Sequence, residues 1–342
     1  MTPLLTIPLL AFATTVVLHF AALHVFPWLG LLDFPERYGL QRRPIPYPTG
    51  ILAVLTFCAF FAVLQPWTTQ NIGLLLGIVL LMVCCFTDDR LFLSPFLRFG
   101  IQALVAVVVI AAGVRIGAVT NPLPGVLAPE SSIVLSSGWL LAFSVAFTLI
   151  WLLFTINALN WFDGIPGQVS TLSVIGFLTI GFLSLSARVD QPALALLSFI
   201  LAGIALGILI FDFSPPRVLM GDTGAMFFGL MIGVLTIYSG GKVATAFLVL
   251  GVPLIDVLFV VVRRLHRGQS PFRGNSTDQH LHHRLLKKGW SPRQVIVLTA
   301  GIGALFGITA LFLSTGGKVI AGLLLLIVML GLSWYSGKNG KL

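Results

Sequence analysis

The sequence predicts an all-α, polytopic integral membrane protein, and three observations lead there. Of 342 residues, 57% are hydrophobic and 9% charged, with a mean hydropathy of +1.03; an ordinary soluble domain carries roughly 25% charged residues. Eleven apolar stretches approach the length of about 20 residues that a helix needs to cross hydrocarbon. The charged residues gather at or beyond the ends of these stretches, and only Asp256 lies deep within one.

The stretches cover residues 3–30, 50–66, 71–87, 97–117, 138–156, 168–187, 192–211, 223–239, 243–262, 295–313 and 318–336. The first is expected to be a span rather than a signal peptide. Ala11 to Ala13 imitates a cleavage site, but no basic segment precedes the apolar run. Lysine and arginine placement sets the orientation. With the loop after the first span inside, Arg37, Arg42, Arg43, Arg90, Arg98, Arg217, the basic residues from Arg263 to Arg293, Lys338 and Lys341 are cytoplasmic. Only Arg115, Arg188, Lys242 and Lys318 are then outside. The N-terminus is expected outside and the C-terminus in the cytoplasm of a plasma (inner) membrane protein.

Most acidic residues fall on the same inner side, although they were not used to set it: Asp33, Glu36, Asp88, Asp89, Asp163, Asp212, Asp222 and Asp278, against Glu130 and Asp190 outside. One domain, 1–342, is expected, with active loops at 33–49, 88–97, 157–167, 212–224 and 263–293. The net charge of +9 lies in loops between spans, which favours lipid headgroups and small anionic substrates over nucleic acid. Cys58, Cys84 and Cys85 sit in apolar runs without metal-ligand spacing and read as packing residues.

Each inner loop carries chemistry. Asn157, Asn160 and Asp163 recur every three residues, so a helix through them stacks all three on one face before Gly164, Pro166 and Gly167 stop it. Asp88 and Asp89 are adjacent carboxylates that suit a base or a magnesium site. Arg42 and Arg43 suit phosphate in a proline-held loop. Asp222, between Gly221 and Gly224 at a helix start, suits an anion or a cap. Asp256 lies two helical turns before Arg263, so both are expected on one side of the ninth helix. His280, His283 and Arg284 share a helical face and suit a phosphate or nucleotide, with His282 facing elsewhere. Leu91 to Phe99 reads as an interfacial segment, His19 and His24 as packing or interfacial residues, and residues 121–137 carry no chemistry. Gly203/Gly207, Gly229/Gly233 and Gly303/Gly307 are close-packing signals.

Taken together, Asp88-Asp89-Arg90, Asn157 through Asn160 to Asp163-Gly164, Met220-Gly221-Asp222-Thr223-Gly224 and His280-Leu281-His282-His283-Arg284 resemble the polyprenyl-phosphate N-acetylhexosamine-1-phosphate transferase family. The likeness is greatest to its WecA/TagO-like branch, and Ser94-Pro95 to Gln102 and Ser270-Pro271-Phe272 fit it too. The resemblance implies transfer of a sugar 1-phosphate from a UDP-sugar to a polyprenyl phosphate, such as undecaprenyl phosphate, with release of UMP. It implies Mg2+ as cofactor, with Mn2+ as substitute, and membrane lipids and a second copy of the chain as further partners. Asp222 and Asp163 would serve the metal, and Asp88, Asp89 and Asp163 the chemistry. Asn157, Asn160, His280, His282, His283, Arg284, Arg42 and Arg43 would bind substrate. The chain departs from the family pattern at Gln41, Thr49 and Pro166, the last standing where a second aspartate is usual. Rival readings are a cation-coupled transporter built on Asp256 and a polyprenyl-diphosphate phosphatase.

Overall fold

The computed structural model describes residues 3–39, 41–121, 132–240, 242–270 and 279–337. Glu130, Pro271, Phe272, Arg273, Asp278, Lys338 and Lys341 lie outside these residues. The described chain is almost wholly helical: α1 (Pro3–Trp28), α2 (Gly50–Leu64), α3 (Thr69–Leu91), α4 (Pro95–Ala111), α5 (Gly138–Phe162), α6 (Gln168–Leu185), α7 (Pro192–Asp212), α8 (Gly221–Tyr238), α9 (Val243–Val249), α10 (Gly251–His266), α11 (Leu281–Lys287), α12 (Pro292–Phe312) and α13 (Thr315–Gly337). The exception to an all-α chain is a short antiparallel pair, β1 (Ala118–Thr120) and β2 (Ser132–Val134), with Val119 opposite Ile133.

Each of the eleven apolar stretches is helical. Among the described residues eight helices are long and apolar enough to cross a membrane, or nine if the bent pair α9 and α10 is one span. α2 and α4, with 15 and 17 residues, are shorter apolar helices, rising about 22 and 26 Å against a hydrocarbon core of about 30 Å. The fourth stretch ends early because Gly113, at φ 103°, turns the chain.

The ninth stretch, expected as one helix, is two, bent by 85°. The reason is Pro253, whose ring clashes with the carbonyl four residues back, at Val249, and which has no N–H to give it. The ladder stops with Leu250 N on Ala246 O and resumes with Leu254 N on Leu250 O. Asp256 and Arg263 both lie beyond the bend, on α10, and both meet the segment leading into α11, Asp256 at His280 and Leu281 N and Arg263 at Gln279 O.

The bundle is organised around α8, in which every residue from Thr223 to Ile237 is buried. The three small-residue pairs sit at close crossings. A Cβ on Gly229 would lie 2.5 Å from Thr155 O of α5; Gly203 and Gly207 receive α1 at Pro8 and Thr15, and Gly303 and Gly307 receive α6 and α9. Apolar side chains on α1, α12 and α13, among them Phe20, Leu305 and Ile327, face outward, as a lipid-facing surface requires. Cys58, Cys84 and Cys85 are free.

Candidate active site

Four helix ends and two loops meet at one end of the bundle. α3 delivers Asp88 and Asp89 in its last turn and is stopped by Phe92, at φ 57°. Side chains of adjacent helical residues point about 100° apart, and here the two carboxylates take different partners. Asp89 accepts from Tyr47 Oη at 2.5 Å, Asp222 N at 3.1 Å, Thr223 N at 3.3 Å and Thr223 Oγ1 at 2.7 Å. It caps the first turn of α8 from a neighbouring helix, satisfying donors that a helix start leaves open. The two members of the expected pair are thus held differently, Asp89 by the start of α8 and Asp88 by Arg98.

Asp88 accepts from Leu93 N at 2.7 Å and pairs with Arg98 Nη1 at 2.5 Å; the same guanidinium nitrogen lies 3.0 Å from Asp222 Oδ2. Arg98 enters because α4 begins at Pro95 behind a Ser94 cap, so the segment expected to lie along the interface is a tight turn and the first turn of α4. Sequence reasoning counted Arg98 only as an anchor. Its signal was Gln102, one turn on, whose amide oxygen takes Asn157 Nδ2 at 2.7 Å.

The first loop is stitched to the start of α8 by backbone bonds: Leu219 N to Pro46 O, Thr49 N to Leu219 O and Gly50 N to Met220 O. A Cβ on Gly50 would stand 2.3 Å from Gly224 N, and Gly221 has φ 75°, so both positions need glycine. Thr49 is buried with its hydroxyl on Leu219 O at 3.2 Å, which explains why a side chain is tolerated there. Arg42 is committed to Asp33, at 2.5 Å, and Asp33 also takes Ile45 N at 2.7 Å; Arg42 braces this loop. Arg43 and Gln41 are exposed.

α5 carries Asn157 and Asn160 and ends at Phe162, with Asp163 as its cap. Asn160 is buried beside the Asp222 carboxylate, near enough to favour its charged form, with the amide nitrogen short of full hydrogen-bond geometry. Asp163 makes no ion pair among the described residues. Burial pushes its carboxyl well above the usual range, and the charges of Asp212, Asp222 and Asp89 add to the shift. The turn after it is tied down by Asp212, which accepts from Gly167 N at 3.1 Å and Ser170 Oγ at 2.6 Å. Gln168 follows, buried, with both amide atoms unpartnered.

The histidine segment closes over this turn. Asp256 takes His280 Nδ1 at 2.8 Å and Leu281 N at 2.9 Å. α11 starts at Leu281, one residue after His280, and this late start overturns the expected grouping. His280 and His282 are stacked, 5.6 Å apart and 15° from parallel, and His283 lies 4.2 Å from His282. His282 is fully buried, with both ring nitrogens unpartnered. A Cβ on Gly164 would stand 2.1 Å from its Nε2. Burial, then the neighbouring His283 and His280, hold the His282 pKa well below the usual value. Arg284 instead bonds Ser333 O and Oγ of α13, away from the rings.

Carboxylates, one bridging arginine and a buried imidazole thus meet at one end of the bundle. The sequence signature of glycosyl transferase family 4 covers residues 71–240. An undecaprenyl-phosphate alpha-N-acetylglucosaminyl 1-phosphate transferase of Pasteurella multocida is 31% identical over 318 residues, 88% of this chain and 85% of that protein. The chain belongs to glycosyl transferase family 4. Two further members are similar over most of their length. A probable undecaprenyl-phosphate N-acetylglucosaminyl 1-phosphate transferase of Bacillus subtilis is 28% identical over 84% of this chain and 78% of its own. A decaprenyl-phosphate N-acetylglucosaminephosphotransferase of Mycobacterium tuberculosis is 29% identical over 88% and 83%. The family 4 signature takes in Asp88, Asp89, Asn157, Asn160, Asp163 and Asp222; the first loop and the histidine segment lie outside it.

Proposed function

We propose that the chain transfers N-acetylglucosamine 1-phosphate from UDP-N-acetylglucosamine to a polyprenyl phosphate, releasing UMP, on the cytoplasmic face of the plasma membrane. The observation that carries this is the meeting of Asp88 and Asp222 at Arg98, with Asp163 near enough to Asp222 to feel its charge, at the end of the bundle where the histidines close over Gly164. The relatives' acceptors and sugar support the substrates, and the basic residues at this end support the orientation.

In the reaction, an oxygen of the lipid phosphate bonds to the donor's β-phosphorus while the bond to the bridging oxygen breaks, and UMP leaves with that oxygen and its electrons. Both oxygens of Asp88 are engaged, one by Leu93 N and one by Arg98. A carboxylate so held is a poor nucleophile, which favours direct attack by the lipid. Asp88 then positions Arg98, whose guanidinium offers donors to phosphate oxygens. The desolvated His282 ring, stacked on His280, suits the uncharged parts of the donor.

Among the described residues no three His, Cys, Asp or Glu side chains form a metal cage, but Mg2+ commonly uses one or two carboxylates and completes its shell with phosphate oxygens and water. The all-oxygen donor set and the uncompensated Asp163 fit such an ion. Bound through Asp222 and Asp163, Mg2+ would neutralise the donor's diphosphate.

The test is purified full-length protein with radiolabelled UDP-N-acetylglucosamine and undecaprenyl phosphate, with and without Mg2+. Labelled lipid and stoichiometric UMP are expected only with the metal. Inorganic phosphate release without nucleotide would replace the reading with a phosphatase, and metal-independent turnover would remove the Mg2+ assignment.

A further inference from the structure

At the end of the bundle away from the carboxylates, three basic residues from distant parts of the chain come together. Arg188 follows α6, Lys242 precedes α9 and Lys318 lies in the first turn of α13. Lys318 Nζ donates to Thr245 Oγ1 at 2.7 Å, and Thr245 N in turn bonds Lys242 O. Arg188 Nη1 reaches Leu313 O at 2.9 Å, at the end of α12, and Lys318 N bonds Ser314 O beside it. Lys242 and Arg188 are near enough to repel the Lys318 charge.

None of the three has a carboxylate partner among the described residues. Asp190, two residues from Arg188, is exposed and forms no ion pair among the described residues; Glu130 lies outside them. A fold that gathers like charges without a counterion carries a standing repulsion that a bound anion would relieve. Large apolar side chains, Phe312, Val319 and Ile320, stand exposed next to the cations. A free inorganic anion has no use for them, whereas a molecule with a phosphate head and acyl chains would cover both.

We propose that Arg188, Lys242 and Lys318 form a binding site for the phosphate of an anionic phospholipid in the leaflet opposite the active site. The lipid would staple the α6–α7, α8–α9 and α12–α13 connections together and brace the broken α9–α10 span. The site is independent of the transfer chemistry.

The full-length protein is placed in nanodiscs of phosphatidylcholine alone or with added phosphatidylglycerol, and its melting temperature is measured. Phosphatidylglycerol is expected to raise it by several degrees in wild type. The triple variant Arg188→Gln/Lys242→Gln/Lys318→Gln should lose that increment and keep its transfer activity. Native mass spectrometry of the Lys318→Gln and Lys242→Gln single variants keeps the test sound if the triple variant fails to fold. Each should bind phosphatidylglycerol about fivefold more weakly, as about 1 kcal/mol per cation near the bilayer surface requires. An undiminished increment in the triple variant, or undiminished binding in the single ones, overturns the proposal. So does inorganic phosphate producing the same increment in phosphatidylcholine discs. Glu130→Gln should leave the increment unchanged; an enlarged one would mean that Glu130 already supplies the anion, which also overturns it.

Discussion

The two halves of the candidate site are finished to different degrees. In the corner formed by α3, α4 and the start of α8, the carboxylates of Asp88 and Asp89 have their acceptor positions filled. In the corner formed by the end of α5, the Gly164 turn and α11, Asn160, Gln168, His280 and His282 keep buried polar atoms without partners, and Asp163 has no cation. Buried polar groups are ordinarily paired, and each one left open costs about 1–3 kcal/mol. The first corner is a frame that exists before substrate arrives, with Arg98 Nε left as an open donor for phosphate. The second holds its hydrogen-bonding capacity in reserve for a ligand.

The comparison can be broken at several points. The largest effect is expected from Asp222→Asn, which keeps the size but not the charge where the corners meet. Turnover should fall at least about 1,000-fold with the protein still folded, and UMP release near the wild-type rate would remove Asp222 from the centre. Asp89→Ala should act on stability first, by about 3 kcal/mol, because four donors lose their acceptor. Chemical unfolding measures this, and an intact fold with lost activity would return Asp89 to the chemistry.

In the open corner, Gly164→Ala must push His282 aside. The donor KM should rise about 30-fold, the cost of one or two lost hydrogen bonds, with little change in kcat. A change in kcat alone would mean that the turn serves the transition state rather than the donor. His282 sharpens the contrast through pH. Its folded pKa lies below the unfolded value of 6.5, so the unfolded chain binds the proton first. The stabilising difference is intact above pH 6.5 and is lost as pH falls, by about 1.4 kcal/mol for each unit. His282→Asn should flatten stability between pH 6.5 and 5.5, and an unaltered slope would mean that the ring is not held neutral. The smallest effect belongs to Arg42→Ala, whose partly exposed pair with Asp33 is worth less than about 1 kcal/mol. The donor KM should not move; a rise would return Arg42 to substrate binding.

Much of this was legible. Apolar runs located the helices, and acidic residues that played no part in setting the orientation fell at the end where the site assembles. What could not be read were partners. Nothing in Asp88-Asp89 distinguishes the two carboxylates, because the distinction arises from Tyr47 and Thr223 on one side and Arg98 on the other. Arg98 was hidden by its type, since a lone arginine at a span's edge is ordinarily an anchor. The histidines were misgrouped because the 3.6-residue repeat was carried through His280, whereas Asp256 holds His280 extended ahead of the helix. The partner of Asp256 could not be read either, since His280 comes to it from 24 residues further along the chain.

That bend also bears on how the chain is made. The backbone freed between α9 and α10 is buried, and the Val249 carbonyl is roofed by Gly303 of α12, where a Cβ would come within 3.0 Å. The α9–α10 segment emerges from the ribosome before that roof exists. Until α12 packs against it the Val249 carbonyl stays open, so this pair is completed only together with a helix made later.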